Sequence, residues 1–308
     1  MRILYLKNET TNLGDAIQSL AAKYLIISSG NEPIPIEKEH IINRTIQAPS
    51  PLETESYLIN GWFTKHEFNM LLESINGNTN GILAGIHISD WYDSKNINEK
   101  INTIKSELEI GCRDSGTYDQ LIGIHTKAWT SGCLTTTLGL TFNFNAQKGK
   151  NDKDKVLFVD IQSCKCITRE METEEFTHST GLNQTELEAE KTLNLFDDHS
   201  YIVTRRLHCA LPACSMGKQV LFFGNIKDYR IEPVLLSGAK IAKYPSYRNE
   251  NSLLLKLVYL LQRKVANLLR CKVVSDWMIS LKQRKDEKPG ANRILYSEIM
   301  DRIMRLKA

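Results

Sequence analysis

The stretch Ile202-Val-Thr-Arg-Arg-Leu-His-Cys-Ala-Leu-Pro-Ala-Cys-Ser-Met-Gly217 decides the predicted fold. It begins with apolar residues, places two arginines and a histidine at Arg205, Arg206 and His208, and ends with small apolar residues before a glycine. This order predicts a buried strand, a polar loop at its carboxyl end and a helix that leaves the loop. Arg is a permanent bidentate partner for phosphate or carboxylate, and His moves protons near neutral pH. The stretch therefore predicts a site for an anionic substrate; the alternative is an exposed Arg pair beside a structural His.

The first residues of the chain follow the same plan. Met1–Leu6 is a short apolar strand, a turn-rich loop follows, and the spacing of apolar residues predicts a helix over Ala16–Leu25. Gly14 and Asp15 lie at the start of that helix. Free N–H groups there can bind an anion, or Asp15 can cap the helix, and the sequence leaves both interpretations open.

Later strands carry two further candidate residues. Tyr57–Phe63 and Gly81–Ser89 are apolar strands, and His87 lies near the carboxyl end of the second. Arg113 follows a short apolar strand and precedes a helix that Asp114 or Ser115 can cap. An Arg between a buried strand and a capped helix is expected to face the crevice at the strand ends, although a surface arginine is the alternative.

The sharpest change in composition is the polar segment 149–155, which separates two apolar regions. A fully apolar strand, Val156–Asp160, begins the second region, and Gln219–Gly224 is another buried strand. The loop after it adds Lys227 and Arg230 to the same rim as the opening stretch.

Strands alternating with helices predict parallel sheets covered by helices, with ligands bound outside the carboxyl ends of the strands. We expect an N-terminal domain over residues 1–150, a second domain over 151–248, and a basic amphipathic helical extension over 249–308. Two such domains facing each other would bring Gly14, Asp15, His87 and Arg113 opposite Arg205, Arg206 and His208.

Composition excludes several classes of protein. The hydrophobic fraction of 42% and the charged fraction of 24% are those of an ordinary globular protein, and 308 residues suit two domains. Seven scattered cysteines and no signal peptide favour a cytoplasmic protein. Cys164 and Cys166 lack a second pair at zinc spacing, so no metal is expected. There is no dinucleotide fingerprint, Walker loop or nucleophile elbow, which disfavours dehydrogenases, kinases and serine hydrolases.

The basic character belongs to the tail. Residues 263–308 contain 12 Lys or Arg and 5 Asp or Glu, a net charge of +7, so the 262 residues before them carry −4 of the overall +3. A peripheral contact of this tail with an anionic membrane is one expectation, and packing of its apolar stripe on a domain is the other. No nucleic-acid partner is expected.

Five short motifs occur in a recognisable order. They are Asn12-Leu-Gly-Asp15, Ile59-Asn-Gly61, Arg113-Asp-Ser-Gly-Thr117, Ser131-Gly-Cys133, and Thr204-Arg-Arg-Leu-His208 with Gly217. In order and spacing they resemble the polysaccharide pyruvyl transferase family, over roughly residues 1–235. The Arg-Leu-His motif is the most specific of them.

The resemblance implies an α/β protein with two Rossmann-like domains facing each other, as in GT-B glycosyltransferases. It also implies transfer of pyruvate from phosphoenolpyruvate to a sugar of a cell-surface polysaccharide, or of its lipid-linked precursor, as a ketal. No cofactor beyond this donor substrate is implied. Arg206 and His208 are the expected donor-binding and acid/base residues, whereas Arg205 departs from the family pattern.

The residues divide into expected roles on this basis. Donor binding is expected of Arg113, Arg205 and Lys227 beside the catalytic pair Arg206 and His208. The acceptor side or its loops are expected to contain Asn12, Gly14, Asp15, Asn60 and His87.

Two other functions compete with pyruvyl transfer. A glycosyltransferase that uses a nucleotide sugar would bind its diphosphate with the same cations, since a fold does not fix a function. A non-enzymatic relative could bind a sugar or organise a membrane assembly through the basic tail. Retention of both Arg206 and His208 counts against that last alternative.

Overall fold

The fold rests on two parallel β-sheets. The computed structural model describes residues 1–8, 10–42, 50–89, 107–125, 127–143, 155–163, 171–177, 184–225, 227–243, 267–281 and 292–306. The first sheet contains β1 (Arg2–Lys7), β2 (Glu32–Glu37), β3 (Tyr57–Thr64), β4 (Gly81–Ser89), β5 (Ile110–Cys112) and β6 (Ala128–Thr130). The second contains β7 (Lys155–Val159), β8 (Glu172–Phe176), β9 (Tyr201–Thr204), β10 (Gln219–Phe223) and β11 (Lys240–Ala242).

The two sheets share one topology. Their orders are β2-β1-β3-β4-β5-β6 and β11-β10-β9-β7-β8, and all neighbouring strands run parallel. Read from β8, the second order repeats the first five positions of the first sheet. The strand order reverses between β1 and β3 and between β7 and β9, and ligands bind at such switch points. The prediction of two α/β domains with parallel sheets is confirmed.

Helices cover both sheets. They are α1 (Leu13–Ser28), α2 (Lys38–Ile42), α3 (Lys65–Ile75), α4 (Ser115–Ile122), α5 (Leu138–Thr141), α6 (Glu186–Asp197), α7 (Leu207–Ser215), α8 (Glu232–Leu236), α9 (residues 267–281) and α10 (Arg293–Arg305). Central strands are apolar on both sides because helices cover both faces, and every residue of β4 is buried.

The domains meet along α1, which packs against both α6 and α7. One apolar cluster runs across this boundary and includes Leu20 of α1, Phe196 of α6 and Leu211 of α7. At its edge, the Tyr24 hydroxyl donates to Glu190 at 2.9 Å. The first sheet and the second are therefore joined by a continuous core rather than by a thin linker contact.

The C-terminal helices pack on both domains. Trp277 and Met278 of α9 are buried against the second sheet, whereas Ile299 and Ile303 of α10 join the cluster around α1. The Arg302 guanidinium lies 4.0 Å from the centroid of the Trp129 ring. None of the helices described here is long and apolar enough to cross a bilayer.

Some predicted segments and domain boundaries fall outside the residues that the structure describes. Residues 249–266 and 282–291 of the predicted C-terminal extension lie outside the described residues, as do both predicted domain limits. The strand β2 was missed because prolines at 33 and 35 argue against a strand, and they are tolerated here because β2 is an edge strand.

Candidate active site

A cleft opens between the carboxyl ends of the two sheets. Its cavity has a volume of about 640 Å³. It is lined by Asn8, Thr10, Asn12, Asp15, Lys38, Trp62, Arg113, Arg205, Arg206, Leu207, His208, Phe222, Phe223, Gly224, Asn225, Asp228, Arg230 and Ile231. These residues follow β1, β2, β5, β9 and β10 or lie in the last residues of β3 and β10, so the cleft lies where the shared topology places a ligand.

His208 occupies the first turn of α7 and contacts the first domain in two places. Its Nε2 atom lies 3.5 Å from Nη1 of Arg113. Gly14 packs directly on the ring, because a Cβ atom added there would lie 2.6 Å from His208 Nδ1. The glycine of the Gly-Asp motif therefore permits the close approach of α1 to the histidine.

Arg206 is held by an acid that sequence reasoning did not single out. Its Nε atom donates to Asp160 Oδ2, at the carboxyl end of β7. Asp160 is 8% exposed and has a φ of 53°, a left-handed conformation that Asp adopts more readily than most residues. An acid directly after a fully apolar strand is the sequence signal that could have identified it.

Arg113 is a buried cation behind His208, with only 4% of its side chain exposed. Its Nε atom lies 3.6 Å from Asp114 Oδ2, and among the described residues Nε has no hydrogen-bond acceptor. Asp114 caps α4 by accepting from Thr117 N at 2.9 Å and also accepts from His87 Nδ1 at 2.7 Å. The sequence expectation that Arg113 faces the crevice agrees with its place in the cleft lining.

The wall formed by the first domain is polar around Asp15. Thr10 Oγ1 donates to Asp15 Oδ2 at 2.7 Å, and Asn12 Nδ2 donates to Oδ1 at 3.3 Å. Burial raises the pKa of Asp15, and these hydrogen bonds only partly oppose the shift. The cap of α1 is Asn12, whose side chain accepts from Gly14 N at 3.1 Å, so Asp15 is left to face the cleft.

The loop after β10 of the second domain lines the cleft and also hydrogen-bonds to the first domain. Arg230 lines the cleft and donates to both carboxylate oxygens of Asp228, at 2.9 and 3.0 Å from Nε. Beyond it, Glu232 accepts from the backbone N and the hydroxyl of Ser115, at 2.8 and 2.6 Å. The loop therefore spans from the cleft to the start of α4.

The structure brings most, but not all, of the predicted site residues together. Arg205 is exposed and lines the cleft beside Arg206 and His208. The described lining does not include Gly14, which packs on His208, nor Asn60, His87 or Lys227. Asn60 is buried and donates to Gln18 O at 3.1 Å, and Lys227 is exposed on its loop. His87 is buried and bonds to Asp114.

The described residues contain neither a cluster of metal-ligating side chains nor a cysteine in the cleft lining. No group of three His, Cys, Asp or Glu side chains is arranged there to hold a metal ion, and Cys164 and Cys166 lie outside the described residues. Cys214 on α7 is buried, which raises the pKa of its thiol to about 11.

Solved structures that resemble this chain share its architecture at low sequence identity. MnaA of S. aureus, determined with UDP, superposes with a TM-score of 0.55 and 11% identity, covering 99% of this chain and 97% of that one. A putative UDP-N-acetylglucosamine 2-epimerase of Listeria monocytogenes has a TM-score of 0.51 and 11% identity, covering 97% and 94%. A functionally uncharacterised protein of Klebsiella pneumoniae has a TM-score of 0.50 and 16% identity, covering 79% and 92%. The predicted GT-B-like arrangement is confirmed at the level of the fold.

Sequence comparison identifies the family. No curated protein matches the chain. A family model, that of polysaccharide pyruvyl transferases, matches residues 12–227 and so covers the Gly-Asp motif, the Arg113 segment and the Arg-Leu-His motif. The chain belongs to the polysaccharide pyruvyl transferase family.

Proposed function

We propose that this protein transfers pyruvate from phosphoenolpyruvate to two hydroxyl groups of a saccharide, forming a ketal and releasing inorganic phosphate. The observation that carries the proposal is the contact of His208 Nε2 with the buried Arg113, 3.5 Å apart, within a cationic cleft. Membership of the family supports pyruvyl transfer in polysaccharide synthesis.

The donor suits the cations of the cleft. Phosphoenolpyruvate carries a phosphate and a carboxylate, and arginine binds both groups with paired, directional hydrogen bonds. Arg206 is oriented by Asp160, Arg113 is buried, and Arg205 is exposed at the same rim. From the loop after β10 we assign Arg230 to the donor rather than Lys227, because only Arg230 lines the described cleft.

The reaction needs one group that moves protons. C3 of the enol gains a proton, two sugar oxygens form bonds to C2, and the bond between C2 and the phosphate oxygen breaks. Of the two hydroxyl protons, one balances the proton gained by C3 and the other leaves with phosphate. We assign this transfer to His208, and a positioned acid–base group contributes about 10²–10⁴-fold to a rate.

The contact with Arg113 indicates which protonation state of His208 begins the reaction. A guanidinium has donors only, so a hydrogen bond between Arg113 and Nε2 requires the lone pair of that nitrogen. His208 would then be neutral, with its proton on Nδ1 and its basic nitrogen beside the bound donor. In that state Nε2 can accept the proton of an attacking hydroxyl once Arg113 turns from the lone pair to the bound phosphoenolpyruvate.

We assign the acceptor sugar to the wall of the cleft around Asp15 in the first domain. Phosphoenolpyruvate has ten heavy atoms, and even if each took the roughly 30 Å³ of a water molecule in the liquid, which is more than a bonded atom needs, it would fill at most about 300 Å³. A cavity of about 640 Å³ leaves room for a second substrate. Asp15, Asn12 and Thr10 supply neutral and anionic hydrogen-bonding groups there, and Trp62 supplies an apolar surface.

Two measurements test the proposal. Phosphate release from phosphoenolpyruvate, assayed with a panel of methyl gluco-, galacto- and mannopyranosides, should require His208 and fall at least ~100-fold in His208→Ala. His66→Ala is the matched control, since His66 is an exposed histidine on α3 outside the described cleft lining, and it should keep the wild-type rate. A His208→Ala variant with wild-type turnover would refute the assigned role.

Calorimetry distinguishes the glycosyltransferase alternative. The solved structure with UDP shares the fold of this chain, so a nucleotide sugar is the relevant competitor. We expect phosphoenolpyruvate to bind and UDP-N-acetylglucosamine not to bind. The reverse pattern would favour a nucleotide-sugar enzyme.

A further inference from the structure

His87 is a buried titratable residue that the proposed reaction does not use directly. It lies near the carboxyl end of β4 with 1% of its surface exposed, and the Tyr229 ring centroid is 6.0 Å from its own. Its Nδ1 atom makes a 2.7 Å hydrogen bond with Asp114 Oδ2. His87 is thus connected to the cleft through Asp114, whose neighbour Arg113 lines it.

Asp114 is surrounded by donors that hold its carboxylate. Oδ1 accepts from Thr117 N at 2.9 Å and from Thr117 Oγ1 at 3.0 Å, while Oδ2 accepts from His87. The same Oδ2 lies 3.6 Å from Arg113 Nε, slightly beyond hydrogen-bond distance. The carboxylate therefore neighbours the guanidinium without forming the usual paired hydrogen bonds with it.

The charges of the two partners are fixed by their surroundings. Burial lowers the pKa of His87, with Arg113 acting in the same direction, so the imidazole is neutral at pH 7 and donates its Nδ1 proton. Burial alone would raise the pKa of Asp114, but the hydrogen bond from His87 and the nearby charges outweigh it and lower the pKa. Asp114 is therefore an anion held by a neutral donor.

We propose that His87 is a positioning residue that keeps Asp114 from pairing fully with Arg113, so that the guanidinium stays directed at His208 and the donor. This inference rests on the proposed function of the cleft. A carboxylate released by His87 needs to move by only about half an ångström to bring Oδ2 within hydrogen-bond distance of Arg113 Nε. Charge-assisted bonds between Arg and carboxylate are strong, and this one would satisfy a buried Nε that has no acceptor among the described residues.

The consequence for phosphoenolpyruvate is geometric. A guanidinium hydrogen-bonded to Asp114 through Nε would be drawn towards that carboxylate, and its Nη1 atom would move away from His208. Phosphoenolpyruvate would then have one cation fewer directed at it in the cleft. His87 therefore acts on donor binding through Asp114 and Arg113, without touching the donor.

The test compares two substitutions of His87 with one elsewhere. His87→Leu removes the hydrogen-bond donor to Asp114. In His87→Asn the amide nitrogen can occupy the place of Nδ1 and donate a hydrogen bond to the same carboxylate. His125→Leu is the matched control, because His125 is also buried in the first domain, 3% exposed, and contacts the backbone oxygen of Leu108 away from the cleft. Thermal unfolding of all three variants identifies any loss of fold.

Donor binding by calorimetry gives the first result. We expect the Kd for phosphoenolpyruvate to rise about tenfold in His87→Leu and to stay within about threefold of wild type in His87→Asn. The loss of binding free energy in His87→Asn should thus be roughly half of the loss in His87→Leu. His125→Leu should bind the donor as the wild type does. Equal donor affinity in His87→Leu and wild type would overturn the inference, as would equal losses in His87→Leu and His125→Leu.

A crystal structure of His87→Leu gives a second result that does not depend on the ligand. The distance from Asp114 Oδ2 to Arg113 Nε should shorten from 3.6 Å to hydrogen-bond length. An unchanged distance would refute the inference even if the proposed function holds. Wild-type protein that does not bind phosphoenolpyruvate would instead count against the proposed function, while the distance would still decide the role of His87.

Discussion

Replacing Gly14 with alanine tests whether α1 and His208 must approach as closely as the structure has them. The added Cβ would lie 2.6 Å from His208 Nδ1, 3.0 Å from its Cβ and 3.1 Å from its Cγ. Ordinary contacts begin near 3.4 Å, so the ring must move by about 0.8 Å. Because His208 Nε2 is already 3.5 Å from Arg113, such a shift breaks the cross-domain contact.

The expected effects on rate and on stability differ in size. A displacement of about 1 Å at a reacting group can lower a rate by about 10²-fold, so kcat for phosphate release should fall on that order. Overpacking costs about 1–3 kcal/mol, and the gain from replacing a helical glycine with alanine offsets about 0.5–1 kcal/mol of it. The net loss of unfolding free energy should therefore stay below ~2.5 kcal/mol.

A double-mutant cycle isolates the contact from other effects of the substitution. In a His208→Ala background the ring is absent, so Gly14→Ala should become neutral or stabilise by up to ~1 kcal/mol. The coupling between the two sites, measured by urea unfolding of the four proteins, should be about 1–3 kcal/mol. This measurement requires neither donor nor acceptor.

Gly123→Ala is the control for replacing a glycine at a helix end. Gly123 ends α4 with a φ of −77°, and a Cβ there would meet no atom within 4 Å. Its activity and stability should match those of the wild type. If Gly14→Ala destabilised the protein equally with and without the His208 ring, the steric reasoning would be wrong.

Three further predictions concern the cations, the buried histidine and the C-terminal helices. Arg206→Lys keeps the charge but loses the planar fork, so calorimetry should show donor Kd rising about tenfold, and Arg205→Lys, at an exposed position, should change it less. Burial lowers the pKa of His87, so on acidification the imidazole is protonated in the unfolded chain before it is protonated in the folded one. The free energy of unfolding should therefore fall by up to ~1.4 kcal/mol per pH unit below about pH 6.5. Urea unfolding of His87→Asn should lack this contribution to the pH dependence. The expected contact of the basic tail with an anionic membrane is tested at Leu268 and Leu269 of α9, which are 71% and 54% exposed. If the tail binds membrane there, a double substitution with Glu should abolish flotation with anionic liposomes, and equal flotation of both proteins would refute the contact.

The fold was predictable where sequence pattern and burial agree. Central strands such as β4 and β10 are apolar on both faces, because helices cover both sides of a parallel sheet, and they stand out in the sequence. Edge strands do not carry that signal. In β8, Glu172–Phe176, no residue is fully buried, and its acidic composition gives no alternation from which a strand could be recognised.

The candidate site was predictable as a set of strand ends but not as a set of contacts. Periodicity placed Arg113 and His208 at carboxyl ends of strands, yet the residues are 95 positions apart and belong to different domains. Their contact depends on how α1 and α7 pack, which no local pattern encodes. The same limit explains His87: a polar residue near a strand end resembles a ligand-binding residue in sequence, and only the position of Asp114 shows that it faces inward. Residues at strand ends thus divide into those that line the cleft and those that hold them in place, and that division is made by tertiary packing.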